Sequence, residues 1–102
     1  MANKKYDIVY FQTFILQFKN ILYYITYELK NKIAADNLYK SVVKQIETRA
    51  NAPESYEVYK VIKGKKYYKI NVKKFIIFYV VKNDVMEIRS IYYNKRNVNN
   101  LM

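Results

Sequence analysis

The chain has 102 residues, is 52% hydrophobic and carries one glycine and one proline, so a single folded domain over residues 1–102 is expected rather than a linker or a disordered chain. It contains no cysteine and no histidine, which excludes disulfide frameworks, thiolate and imidazole metal sites, and Ser-His or Cys-His catalysis; no cofactor is expected. The net charge is +11, with eight lysines and no acid between Val58 and Asn83, a field that attracts polyanions.

Lysine, tyrosine and asparagine usage of this kind also follows from AT-rich coding, so charge alone does not establish nucleic-acid binding. The longest unbroken apolar run, Phe75 to Val81, is far too short to span a bilayer. "MANKKYDIVYFQTF" reaches polar residues too soon for a signal-peptide core. A soluble cytoplasmic protein is expected, with no membrane partner.

"YDIVYF", Tyr6 to Phe11, is β-branched and aromatic and predicts a first strand. In "FILQFKNILYYITYELK", Phe14, Ile15, Phe18, Ile21, Leu22, Ile25 and Leu29 recur at helical spacing. Tyr23, Tyr24 and Tyr27 lie on or beside that stripe, which assigns them to core or partner packing. Asn31 interrupts the pattern and suits the cap of a second helix. There Ile33, Leu38, Val42 and Ile46 form the buried stripe, and Asn51 with Pro53 ends it. Glu28 and Glu47 fall on helix surfaces, too far apart to form an acid–base pair.

Residues 52–66 read mainly as a connection, with a short strand possible in "YEVYKVI". Three strands then follow closely: "YYKINV", "FIIFYVV" and "VMEIRSIYY", with Asn83-Asp84 supplying hairpin turn chemistry. The expected architecture is α+β in the order β-α-α-β-β-β, a two-helix hairpin packed on one face of a small, mainly antiparallel sheet.

Strand alternation assigns faces. Tyr68, Ile70 and Val72 share one face, opposite Tyr67, Lys69, Asn71 and Lys73; Met86 and Ile88 oppose Glu87, Arg89 and Tyr93. "FIIFYVV" has no polar face. Ile77 and Tyr79 can meet the helices, which leaves Ile76, Phe78 and Val80 pointing away and in need of cover. The C-terminal tail or the 52–66 segment could supply it. The favoured reading is a partner protein whose acidic side chains meet Lys69, Lys73 and Arg89. A homodimer contact is a further use for that face.

This element order, with "ITYELKNKIAADNLYKSVVKQIETRANAPES" and "YYKINVKKFIIFYVVKNDVMEIRSIYYNKRN", resembles the RelE/ParE family of bacterial type II toxin–antitoxin toxins. The resemblance runs from about Tyr6 to Leu101. It implies a toxin neutralised by a cognate small, usually acidic antitoxin that wraps it in a hetero-oligomer. Members divide by target: RelE-like toxins cleave mRNA in the ribosomal A site, and ParE-like toxins poison DNA gyrase.

In the ribonuclease group, basic residues on the sheet stabilise phosphate charge. By this resemblance Lys69 matches a strand lysine, Arg96 a C-terminal arginine, and Lys73 a third cation. Two positions depart from that pattern. Phe75 is followed by Ile76 where the ribonucleases place arginine, and "NVNNLM" lacks the tyrosine or histidine expected beyond Arg96 for proton transfer. Tyr92 or Tyr93 is the available substitute, and either Tyr67 or Tyr93 could stack a base. "KKFIIFY" instead resembles the hydrophobic third strand of ParE-like members. The expected function is therefore a ParE-like gyrase poison, with Lys95 and Arg96 anchoring an acidic antitoxin or a polyanionic target. The alternatives are an mRNA endoribonuclease partnered by the ribosome and mRNA, and a basic nucleic-acid-binding module without toxicity.

Overall fold

A computed structural model describes residues 5–94. Five strands form one sheet in the order β1-β5-β4-β3-β2, with β1 (Asp7–Tyr10), β2 (Lys60–Ile62), β3 (Lys65–Val72), β4 (Phe75–Lys82) and β5 (Val85–Tyr93). β1 runs parallel to β5, and every other pair is antiparallel. Two helices, α1 (Gln12–Tyr23) and α2 (Lys32–Arg49), pack on one face. The α+β architecture is as expected. The "YEVYKVI" strand is real but shorter, and it adds a fifth strand at one edge.

The three hairpins close through two-residue turns, each with a residue at positive φ: Lys63 and Gly64 together, Lys73, and Asn83. Gly64, at φ +78°, occupies a region that glycine enters without steric cost. Lys73 therefore sits in a turn and not on the face that alternation assigned to it.

The core follows the helical and strand periods. Phe14 and Phe18 of α1 and Leu38, Val42 and Ile46 of α2 meet Tyr68, Ile70, Val72, Ile77, Tyr79, Met86, Ile88 and Ile91. Asn31 caps α2, its side-chain oxygen accepting from the Ala34 N–H at 3.0 Å. Ile33, the second residue of the helix, is 74% exposed; the inward position in that turn belongs to Ala35.

The first helix does not continue regularly to Asn31. Residues Tyr24–Glu28 form a π-helical turn, and the Leu29 N–H donates to the Tyr24 carbonyl five residues back, at 3.0 Å. A wider turn rotates every later side chain away from the 3.6-residue stripe. Tyr27 and Leu29, in and after that turn, are exposed, as are Tyr23 and Tyr24 at its start, so the assignment of these tyrosines to the core is corrected. Lys30 at φ +53° then reverses the chain into the Asn31 cap.

A second correction lies in β5. Phe78 pairs with Ser90 while Tyr79 pairs with Ile88, so Arg89 is an extra residue in a β-bulge. A one-residue insertion exchanges the two faces beyond it. Ile91 consequently joins Met86 and Ile88 in the core. Tyr93 falls on the helix side, lining a groove with Ile21, Tyr24 and Ile25, and not beside Arg89 as alternation predicted. The Ile91 N–H finds its acceptor outside the sheet, in Gln17 Oε1 of α1 at 2.8 Å.

Candidate interaction face of the sheet

The helix-free face is built around β4. Ile76, Phe78 and Val80 point away from the helical core, as alternation predicts, yet they are only 5%, 4% and 4% exposed. The expectation of an open apolar strip is corrected, because neighbouring side chains already shield it. Tyr59 from the connection packs on Phe78 with ring centroids 5.4 Å apart, and Tyr92 approaches the same ring at 6.0 Å. Directly across the ladder, Asn71 and Tyr92 flank Ile76, Lys69 and Ser90 flank Phe78, and Tyr67 and Glu87 flank Val80. Wide and long side chains at such cross-strand positions cover the residue between them. Phe78 is therefore part of the fold before it is a contact for anything else.

Arg89, displaced by the bulge, lies over the Phe11 ring at 4.4 Å. Its Nη2 and Nε donate to Glu87 Oε1 at 2.7 and 3.2 Å, and Nη1 donates to the Tyr67 hydroxyl at 3.2 Å. Both members of the ion pair are largely covered. Its charge is thus balanced within the chain. Such a pair is costly to break because either partner alone would be an uncompensated charge.

Lys69 differs. It is exposed on β3, opposite Phe78, with Nζ 5.0 Å from the centre of the Tyr59 ring. Beside it stands a side chain that the sequence reading did not single out. Arg49, the last residue of α2, donates through Nη1 to the Tyr79 hydroxyl at 2.9 Å and to the Lys69 carbonyl at 3.2 Å. Its guanidinium lies 3.6 Å from the centre of the Tyr56 ring. Tyr79 in turn donates to the Pro53 carbonyl at 2.8 Å, which ties the end of α2 and the following turn to the sheet. Burial raises the Tyr79 pKa above the ordinary tyrosine value, and the Arg49 hydrogen bond partly opposes that rise. Arg49, Tyr56, Val58, Tyr59, Lys69 and Asn71 border a cleft of about 370 Å³. The available signal was choice of residue type. Arg49 is one of three arginines among 19 basic residues, and a planar guanidinium stacks and forks where lysine cannot.

The sequence candidates are thus divided. Lys69 joins the cleft, Arg89 forms its own network, Lys73 occupies a turn, and Ile76, Phe78 and Val80 lie beneath the surface. Tyr92 shares the helix-free side and Tyr93 does not. Lys95 and Arg96 lie outside the described residues. Among those residues no group of acids and histidines could hold a metal ion, and no helix is long and apolar enough to cross a membrane.

A second opening lies at the far end of the helical hairpin. Ile21, Tyr24, Ile25, Leu29, Phe75 and Tyr93 line a mainly apolar groove of about 740 Å³. The β5 bulge brings Tyr93 to this groove, and Tyr24 and Ile25 border it from the start of the π-helical turn.

The family model described as the ParE toxin of the type II toxin–antitoxin system parDE matches residues 8–98. The chain belongs to the ParE toxin family. Among solved structures this ParE-family chain is similar to one titled "Chromosomal ParDE TA system from P. aeruginosa", at 12% identity and a TM-score of 0.74. The match covers 89% of this chain and 98% of that one. At that identity the likeness establishes the fold of the ParE-family chain. No curated protein matches its sequence.

Proposed function

We propose that this ParE-family chain arrests growth by poisoning DNA gyrase and is neutralised by a cognate small acidic antitoxin. The family membership supplies the toxin–antitoxin setting. The choice of gyrase over mRNA rests on one observation: Ile76 stands where the ribonuclease pattern calls for arginine, and it is buried beside a strand whose neighbouring arginine, Arg89, is bound to Glu87. An in-line phosphodiester cleavage needs proton-transfer groups as well as cations at the scissile phosphate, and neither Ile76 nor the Glu87-bound Arg89 supplies one there. The antitoxin reading draws on the exposed lysines of β3 and on a net charge of +11, which favour an acidic partner and speed its encounter.

The test is expression with and without the small protein encoded beside it, followed by two assays on purified material. Gyrase with plasmid DNA should accumulate cleaved complexes, while translating ribosomes with mRNA should show no cuts. Codon-specific A-site cuts that vanish in Arg96→Ala or Lys69→Ala would establish the endoribonuclease instead. Normal growth at high soluble yield would sink the toxin reading altogether.

A further inference from the structure

We propose that the cleft between Arg49, Tyr56, Tyr59, Lys69 and Asn71 is a carboxylate-binding site that takes a Glu or Asp side chain of an acidic peptide segment. This rests on the antitoxin reading above and names the place on the toxin where one of the antitoxin's acidic side chains is held.

Three features carry it. Arg49 uses only Nη1 within the fold, on Tyr79 and the Lys69 carbonyl. Its Nε and Nη2 make no hydrogen bond to any described residue. A guanidinium fixed at one corner and stacked on Tyr56 at 3.6 Å is pre-organised, so little rotamer freedom is lost when it grips an anion. Second, the Lys69 ammonium lies over Tyr59 and makes no ion pair with a described residue. The amide of Asn71, two residues along the same strand face, adds a neutral donor. Third, the only carboxylate bordering the cleft, Glu57, makes no ion pair with either cation among the described residues. Two cations face one acid across about 370 Å³, room for a side chain.

The aromatic rings favour a peptide over a nucleic acid. Tyr56 already carries Arg49 on its face, and Tyr59 is held between Lys69 and Phe78. Single-stranded nucleic acid is gripped by bases stacked on free aromatic faces along a basic groove; here the rings hold cations in place instead.

The test is amide NMR of the full chain, titrated at physiological salt with two probes of equal charge. One is a peptide alternating glutamate and leucine, and the other is an oligothymidylate. The expected result is saturable peptide binding that shifts Tyr56, Lys69 and Asn71. Lys69→Gln and Arg49→Lys should each weaken it about tenfold, the loss of one charge-assisted hydrogen bond, and Lys44→Gln on the exposed side of α2 should leave it unchanged. Arg49→Lys also loosens Tyr79, so Lys69→Gln, at an exposed position, decides if that variant fails to fold. Non-saturable binding, or equal weakening by Lys44→Gln, would mean diffuse charge and overturn the site. Tighter oligothymidylate binding at the same amides would reassign the cleft to nucleic-acid phosphate. If the neighbouring protein binds both cleft variants as tightly as the parent, the cleft proposal fails while the antitoxin reading stands. If no neighbouring protein binds the parent chain, the antitoxin reading fails and the peptide titration still decides the cleft.

Discussion

A single side chain completes the place where β5 departs from regular alternation. At the β5 bulge the Ile91 N–H would be left without a partner, and Gln17 reaches across from α1 to accept it at 2.8 Å. An unsatisfied buried donor costs about 1–3 kcal/mol. Gln17→Ala is expected to lower unfolding stability by that amount, read from chemical denaturation, while Gln17→Glu keeps an acceptor oxygen and should lose less. A loss no larger in Gln17→Ala than in Gln17→Glu would show that water replaces the bond. Phe78 makes the same point from the apolar side. At 4% exposure beneath Tyr59 and Tyr92, it cannot be made charged without burying that charge. Phe78→Asp should destabilise the isolated chain by at least the roughly 3–5 kcal/mol typical of deleting a buried ring. Retained stability would mean that the ring is free to leave the sheet, and would restore Phe78 as a docking contact.

Among the elements, α2 shows how a short polar signal sets a boundary. The π-helical turn ends in Lys30 at positive φ, and Asn31 starts the next helix by accepting from the Ala34 N–H. Asn31→Ala removes that acceptor and should cost about 1 kcal/mol, seen as a lower thermal midpoint with unchanged helix content at low temperature. A midpoint equal to the parent's would mean that the packing of Ala35 and Leu38 alone positions the helix. The cap, both helices and the succession of the four main strands along the chain were legible because each depends on local chemistry: a capping oxygen, a 3.6-residue stripe, a two-residue alternation. The π-helical turn and the bulge were not. Both insert backbone without altering composition, and the bulge is completed by a distant group, Gln17 of α1. The exposure of Tyr27 and Leu29 and the inward turn of Tyr93 follow from those insertions. Lys69 was readable as an exposed strand cation. Arg49 was hinted at only by the rare choice of arginine, because its role requires the end of α2 to arrive over β3, a tertiary fact that "ETRANAPES" does not encode locally.

The whole molecule has an unusual titration range. With no histidine and no cysteine, it lacks the side chains whose ordinary pKa values fall near neutrality, so its stability should be nearly flat across the neutral range. The alkaline side differs. Burial raises the pKa values of Tyr68 and Tyr79, because a phenolate in the core loses its hydration. In the unfolded chain these phenols ionise near pH 10. A raised folded value means that the stability is fully present below about pH 10 and is lost as pH rises through the folded-state values. Lysine deprotonation works in the opposite direction over the same range, relieving the mutual repulsion of a chain at +11. Salt separates the two effects, since it screens repulsion between exposed charges far more than it alters a buried phenol. In high salt, stability should therefore fall steeply above pH 10, with a late fraction of the tyrosinate absorbance appearing together with unfolding. Tyr79→Phe should be less stable at neutral pH, because Arg49 and the Pro53 carbonyl lose their hydroxyl partner. It should also lose part of the alkaline slope. An unchanged slope in that variant would show that the Tyr79 phenol ionises without opening the core, and that the Arg49 pairing outweighs its burial.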